Sequence, residues 1–211
     1  MTHSHKFLVL GVDPGLQGGL AFIAGSPHED PVVLAGLRMP KCKDLAHTYT
    51  SSTFMVDTKE IIKWIRSLSS LESWRENVTR DTDASVIFER AQTLPTIGKG
   101  EKNISRQRMF NYGFTYGITM MSVAQALTIG PVPYCLTNVH TVMPTVWKPA
   151  FGLKQDKQES IERATDIFHE NKYWHKKADE GVAEAALIAH WRLNRLCRNV
   201  IDQLKKGEKE K

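Results

Sequence analysis

The sequence predicts an α/β fold in which a mixed β-sheet of about five strands is flanked by helices. Short apolar runs bounded by glycine or proline come first along the chain, as is typical of buried strands. Longer segments with apolar residues at helical spacing follow, and further strand-like runs lie between them. Strands that first follow one another and then alternate with helices are typical of a mixed sheet with helices packed on it.

Five segments have the pattern of strands. The first is a continuous apolar run that ends at Asp13-Pro14-Gly15, a turn sequence. Gly18-Gly19 leads into the second run, and the fourth ends abruptly at Glu89-Arg90. The strands are predicted at residues 7–12, 20–24, 31–37, 85–88 and 132–136.

Four segments have the pattern of helices. Ile61, Ile65 and Leu68 lie at helical spacing, and Ser105 is a candidate N-cap for a long helix that ends near residue 127. The helices are predicted at residues 58–68, 105–127, 155–168 and 180–198. Residues 38–56 are polar and have no clear period, so a loop is expected there. A charged connector is expected at residues 75–84 and an irregular segment at residues 144–153.

The composition is that of a globular chain with one domain. The chain has 211 residues, of which 41% are hydrophobic and 24% charged, so it can bury a core. We expect a single domain over residues 1–203 and a disordered, charged tail over residues 204–211. The formal net charge of +5 favours an anionic partner without identifying it.

The cysteines argue against a disulfide framework and against a zinc site. Cys42, Cys135 and Cys197 lie far apart, and no C-x-x-C pair occurs. A reduced, cytoplasmic setting is therefore expected, or an organelle matrix if a transit peptide has been removed. The apolar start at residues 7–12 is too short for a signal sequence, and no run approaches transmembrane length, so no membrane association is expected.

Acidic residues occur where the predicted elements begin or end. Asp13 follows the first strand and Glu89 the fourth, while Glu180 and Glu184 open the final helix directly after Asp179. A spacing of four places Glu180 and Glu184 on one helix face. Mg²⁺ prefers oxygen ligands, and two such ions roughly 3.5–4 Å apart can activate water and stabilise the leaving oxygen in phosphodiester cleavage. The pattern indicates a site for two divalent ions.

Each acidic residue also has a purely structural interpretation. Asp-Pro-Gly is a common turn, and Glu89 can form a surface ion pair with Arg90, which would contribute little. Acidic side chains in the first turn of a helix interact favourably with the positive end of its dipole. Taken singly, these interpretations are preferred, and only the combination of the acids indicates a metal site.

Several motifs occur in order along most of the chain. They are LGVDPGLQGGLAF (10–22), VIFERAQTLP (86–95), NYGFTYGI (111–118), PVPYCL (131–136) with PTVWKPAFGL (144–153), and KKADEGVAEAALIAHW (176–191). In this order they resemble the motifs of the RuvC-like Holliday-junction resolvases, a family of the RNase H-like superfamily, and in particular its phage-encoded and organellar branches. The first motif alone is weakly specific, whereas the ordered set is specific.

The resemblance implies an RNase H-like fold and a crossover-junction endonuclease of DNA recombination and repair. Such an enzyme resolves four-way (Holliday) DNA junctions by symmetric paired nicks, as a homodimer with two Mg²⁺ or Mn²⁺ ions in each active site and without a nucleotide cofactor. The catalytic, metal-binding carboxylates implied by the motifs are Asp13, Glu89, Glu180 and Glu184. The family's pattern usually has Asp where this chain has Glu180, so Asp179, one position earlier, is a further candidate ligand.

Basic residues form two strips that are expected to contact DNA phosphates, although charged runs are also common on solvated surfaces. On the predicted long helix, Gly113 and Gly117 clear one face for packing against a partner subunit or another helix. Phe110 and Phe114 are expected to be buried, and Trp147 to lie in the core. The two strips are Lys99, Lys102, Arg106 and Arg108, and Lys148, Lys154 and Lys157.

Three other functions fit part of the pattern. A nuclease that acts on flaps, forks or other branched DNA would have the same carboxylates. Actin-like ATPases also open with a strand, an Asp and a glycine-rich turn, but this chain is short for their two lobes and has no second glycine-rich phosphate loop. A DNA-binding module without activity is the third alternative, and the presence of an acid in each motif argues against it.

Overall fold

A computed structural model describes residues 5–43, 54–79, 81–90, 106–129, 139–154, 157–170 and 172–209 of the chain. The strands in these residues are β1 (Phe7–Asp13), β2 (Gly19–Ser26), β3 (Glu29–Arg38), β4 (Lys41–Lys43), β5 (Phe54–Val56), β6 (Asp83–Glu89) and β7 (Val139–Val142). The helices are α1 (Thr58–Ser67), α2 (Glu72–Asn77), α3 (Arg106–Ile129), α4 (Pro144–Ala150), α5 (Lys157–Phe168) and α6 (Glu180–Lys209).

The main sheet has five strands in the order β3-β2-β1-β6-β7. Neighbouring strands are antiparallel from β3 to β1 and parallel from β1 to β7. Val12 pairs with Phe88, so the parallel strands β1 and β6 end side by side at their carboxyl ends. The predicted α/β fold, a mixed sheet of about five strands flanked by helices, is confirmed.

Helices cover both faces of this sheet because its central strands are apolar on both sides. Successive side chains of a strand point to opposite faces. Val9 and Ile23 therefore join one core with α4, α5 and α6, while Leu10 and Phe22 join another with α1, α2 and α3. The continuous apolar runs in the sequence are what a sheet buried on both faces requires.

The segments predicted to be irregular contain short elements. Residues 38–56 include β4 and β5, which pair over only three residues each, too few for a periodic signal. The connector at 75–84 begins inside α2 and ends inside β6. Residues 144–153, predicted to be irregular, contain α4, in which Pro144 occupies the first turn where proline is tolerated.

The ends of the chain's last elements also differ from the prediction. The helix predicted at 180–198 continues to Lys209, so residues 204–209 are helical where a disordered tail was expected. Lys and Glu are good helix formers, and a helix anchored by its packed first half extends readily through them. The strand predicted at 132–136 lies outside the described residues. Among the described helices, none is both long enough and apolar enough to span a bilayer.

Candidate active site

Three carboxylates converge at the carboxyl ends of the parallel strands. Asp13 ends β1, Glu89 ends β6, and Glu184 lies near the start of α6. Burial, followed by the charges of Glu89 and Glu184, raises the pKa of Asp13 to about 7. Burial, followed by the charge of Glu184, also raises the pKa of Glu89. This mutual repulsion shows that acids far apart in the sequence form one cluster.

Glycine residues bring α6 against the sheet at backbone distance. A Cβ atom on Gly11 would lie 2.0 Å from the carbonyl oxygen of Ala185, and one on Gly181 would lie 2.4 Å from that of Gln17. Gly18 and Gly181 form an isolated parallel bridge. The small residues of the EGVAEAALIAH segment thus permit this approach, which carries Glu184 to the end of β1.

A tight turn fixes the Asp13 carboxylate. Its Oδ1 accepts a hydrogen bond from the Gly15 backbone N–H at 3.2 Å, and the Gly18 N–H donates to the Gly15 carbonyl at 2.8 Å. An aspartate that accepts from the backbone two residues onward is the expected geometry of an Asp-Pro-Gly turn. The turn interpretation and the cluster interpretation of Asp13 therefore both hold.

Side chains of α4 and α5 hold the other two carboxylates. Trp147, which has no exposed surface, donates from Nε1 to Glu89 Oε2 at 2.8 Å. Glu184 Oε1 accepts from Lys148 Nζ at 2.5 Å and from the buried Ser160 hydroxyl at 3.1 Å. These donors orient the acids, since each is fixed on a packed helix. The prediction that Trp147 lies in the core is confirmed.

Lys148 is the cation of the cluster. Burial by itself lowers the pKa of its ammonium, but the hydrogen bond and charge of Glu184, with the charges of Glu89 and Glu180, raise it above its ordinary value. The group therefore stays protonated among the acids. Its side chain is 26% exposed. Lys148 thus lies within the carboxylate cluster, whereas the sequence suggested a place on a DNA-binding strip.

Asp179 forms its contacts with residues outside the cluster. Its Oδ1 forms an ion pair with Arg38 Nε at 3.2 Å, and its Oδ2 accepts from the Lys176 backbone N–H at 2.9 Å. The second contact caps the 3₁₀ turn Lys177–Asp179, which precedes α6. Glu180, in contrast, is near enough to Lys148 to influence its pKa.

The carboxylate oxygens of the cluster are the kind of ligand that a hard divalent cation prefers. No group of three or more possible ligands is already arranged around a metal position in the described part of the chain. However, Asp13, Glu89 and Glu184 each engage a protein donor through one oxygen only, namely Oδ1, Oε2 and Oε1. Among the described residues no donor contacts the second oxygen. Three carboxylates facing one ammonium also leave an excess of negative charge, which a cation would offset.

The remaining residues of the two basic strips are described only in part. Lys154 is exposed, and its backbone N–H donates to Glu159 at 2.8 Å. Lys99 and Lys102 lie outside the described residues, as do the side chains of Arg106, Arg108 and Lys157. Their expected contacts with DNA remain predictions.

One face of α3 is open. A Cβ atom on Gly113 or Gly117 would meet no atom within 4 Å among the described residues, so these glycines do not serve packing against another described helix. Met121 is 70% exposed and Phe110 is 53% exposed. Phe110 stacks on Phe114 with a centroid distance of 6.0 Å. The prediction that Phe110 is buried is wrong, because the face of α3 on which it lies is turned away from the sheet.

Sequence reasoning missed the residues that orient the acids. Trp147 and Lys148 are adjacent in the PTVWKPAFGL motif, and this Trp-Lys pair is the signal that could have indicated them. Ser160 had no such signal, since a serine near the start of an amphipathic helix is common on surfaces. Its role depends on how α5 packs against α6.

No family model matches this chain, and no curated protein matches it either. Among solved structures, it is similar to RuvC from Thermus thermophilus, with 20% identity over 87% of this chain and 91% of that chain and a TM-score of 0.47. It is also similar to T. thermophilus RuvC in complex with a Holliday junction substrate, with 18% identity over 87% of this chain and 90% of that chain and a TM-score of 0.46.

Proposed function

We propose that the protein is a divalent-metal-dependent endonuclease that cuts branched DNA, and specifically four-way junctions, by paired nicks. The observation that carries this proposal is the convergence of Asp13, Glu89 and Glu184 at the carboxyl ends of two parallel strands. Each of these acids also falls in a motif that resembles the RuvC-like resolvases. The net charge of +5 suits an anionic substrate.

In this proposal, the three carboxylates hold two Mg²⁺ or Mn²⁺ ions, with Glu180 as a further ligand. Bound there, divalent ions would supply Lewis-acid activation for hydrolysis of a phosphodiester. Glu180 is preferred to Asp179 because Asp179 is already paired with Arg38 and with the backbone of Lys176.

The chain's own residues prepare this site. Trp147 and Ser160 fix the orientation of Glu89 and Glu184 through hydrogen bonds from a packed indole and a buried hydroxyl. Such donors to ligand groups are commonly worth about 10–100-fold in metal affinity or activity. The Lys148 ammonium offsets part of the negative charge, so that a phosphate can approach carboxylates that would otherwise repel it.

Symmetric nicking also requires two active sites, and we propose that a second copy of the chain packs on the open face of α3. The face consists of Phe110, Gly113, Gly117 and Met121. Isologous contacts between identical faces are the commonest route to a dimer. Analytical ultracentrifugation should show a dimer that Met121→Glu converts to monomer, whereas Leu204→Glu, at another exposed apolar residue, leaves it intact. A monomeric wild type would reject this surface.

The activity is tested with a labelled, immobile four-way junction and a linear duplex of the same sequence. Wild-type protein with Mg²⁺ or Mn²⁺ is expected to nick the junction in opposing strands, and EDTA is expected to stop it. Asp13→Asn and Glu89→Gln should abolish cleavage but retain junction binding. Glu60→Gln, at an exposed acid on α1, is the matched control and should cut normally.

The same assay separates the alternatives. Equal cutting of junction and duplex would reject junction specificity, and cutting of flaps or forks in preference to junctions would indicate a different branched substrate. Binding without any cleavage would indicate a DNA-binding module without activity. Loss of cleavage in Asp179→Asn but not in Glu180→Gln would reverse the proposed choice of ligand.

A further inference from the structure

A basic cavity lies between α6, β7 and the end of β6. It has a volume of about 460 Å³. Three arginines and a histidine line it, together with Trp191 and mostly apolar residues of β7 and α4. No acidic side chain is among the described residues that line it. The basic residues are Arg90, His140, Arg192 and Arg195.

Arg192 is fixed in this cavity by neutral partners. Its Nε donates to Ser85 Oγ at 3.2 Å, and its Nη2 lies 2.6 Å from His140 Nε2. A guanidinium can only donate, so Nε2 is the acceptor and His140 is neutral with its proton on Nδ1. None of the ion pairs formed between described residues involves Arg192. Its charge is therefore held in place without a counterion from these residues.

A second guanidinium group comes from the next turn of α6. Arg195 lies over the Trp191 ring at 4.8 Å from the centroid, a cation–π contact that restricts its rotamers. Arg90 directly follows Glu89 and contributes its backbone to the cavity, since its N–H donates to the Val142 carbonyl at 2.8 Å, while its charge lies near Tyr116 of α3. The charges of Arg192 and Arg195 beside one cavity repel each other, and an anion between them would relieve that repulsion.

We propose that this cavity binds a backbone phosphate of the DNA strand next to the cleavage site, an inference that rests on the proposed function. Guanidinium groups match the oxygens of a phosphate with paired hydrogen bonds, which distinguishes them from lysine. A free phosphate would satisfy the same chemistry. The position of Arg90 directly after Glu89 favours the DNA strand, because the cavity then continues the path of a substrate that reaches the carboxylates.

The test compares arginines of α6 that line the cavity with one that does not. Arg195 lines the cavity, whereas Arg198 is exposed nearby on the same helix and does not line it. Junction affinity is measured by fluorescence anisotropy at several salt concentrations, with Asp13→Asn in every protein to prevent cleavage. Arg195→Gln and Arg192→Gln should each weaken binding on the order of tenfold and lower the slope of log affinity against log salt by about one. Arg198→Gln should match the parent.

Conservative variants and free phosphate complete the experiment. Arg195→Lys retains the charge but loses the paired hydrogen bonds, so its affinity should fall between those of the parent and Arg195→Gln. To test free phosphate as the ligand instead, inorganic phosphate is titrated into the protein and its binding is monitored by NMR of the arginine side chains. Phosphate binding that depends on Arg195, combined with junction binding that does not, would overturn the assignment to DNA.

Different results would refute the phosphate site and the proposed nuclease function. If wild-type protein cuts the junction while Arg192→Gln and Arg195→Gln bind it like Arg198→Gln, the phosphate site is wrong and the nuclease assignment stands. If wild-type protein does not cut any branched DNA, the nuclease assignment fails regardless of these affinities. Circular dichroism of Arg192→Gln checks that loss of the Ser85 contact has not unfolded the protein. Arg195 is exposed, so Arg195→Gln tests the phosphate site without this risk to folding.

Discussion

Replacing Asp13 with Asn should make the metal-free protein more stable at alkaline pH while abolishing its activity. In the folded protein, burial and the charges of Glu89 and Glu184 raise the pKa of Asp13 from 3.8 to about 7. Asn is similar in size, and its side-chain oxygen can still accept the hydrogen bond from the Gly15 N–H. The substitution therefore removes the buried charge and keeps the turn.

The sign and size of the effect follow from the pKa. Because the folded-state pKa is higher than the unfolded-state pKa, the folded protein binds more protons between about pH 4 and 7, and its stability falls as the pH rises through this window. A rise from 3.8 to about 7, at 1.36 kcal/mol for each pKa unit, corresponds to at most about 4 kcal/mol. Asp13 keeps partial exposure, so solvent screening should reduce the measured gain below that limit.

Urea denaturation in EDTA at about pH 5 and about pH 8 measures this effect. The free energy of unfolding of Asp13→Asn should exceed that of the wild type at the higher pH, and the difference should shrink at the lower pH. Glu60→Gln, which changes an exposed acid, should show no such pH-dependent gain. A wild type that is as stable as Asp13→Asn at the higher pH would refute the reasoning, because the acids would then not repel each other.

Three further results are expected. Trp147→Phe removes the donor to Glu89 and should lower metal-dependent cleavage about 10–100-fold, with a normal circular dichroism spectrum; unchanged cleavage would mean that the indole only packs. Gly181→Ala places a Cβ 2.4 Å from the Gln17 carbonyl oxygen and should cost about 1–3 kcal/mol in unfolding free energy. Gly113→Ala, whose Cβ meets no described atom within 4 Å, should cost nothing when it is compared in the monomeric Met121→Glu background, because Gly113 lies on the proposed dimer face. Mg²⁺ should raise the melting temperature more at about pH 8 than at about pH 5, and an equal rise in Asp13→Asn would argue against binding at the cluster.

Much of the fold could be predicted from the sequence because hydrophobic periodicity determines which faces are buried. The run from residue 7 to 12 and the abrupt end of the strand at Glu89 placed β1 and β6 correctly, and with them the acids that follow. Short elements escaped the prediction. β4 and β5 have three residues each, and residues 144–153 were predicted to be irregular although Pro144 starts a helix.

The residues around the acids could be predicted only in part. The resemblance indicated Asp13, Glu89 and Glu184, which the structure brings together, and left a choice between Asp179 and Glu180 that depends on a contact with Arg38. That contact joins the end of β3 to the turn before α6 and has no signal in the local sequence. The approach of Ser160 to Glu184 likewise depends on the packing of α5 against α6.

The cluster of buried acids can be examined most directly by diffraction. In a crystal grown with Mn²⁺, the anomalous difference map should contain a peak in contact with Asp13, Glu89 and Glu184, and the Asp13→Asn crystal should lack it. A wild-type map at saturating Mn²⁺ that has no peak there, with Lys148 still paired to Glu184, would contradict the claim that these carboxylates are a metal site.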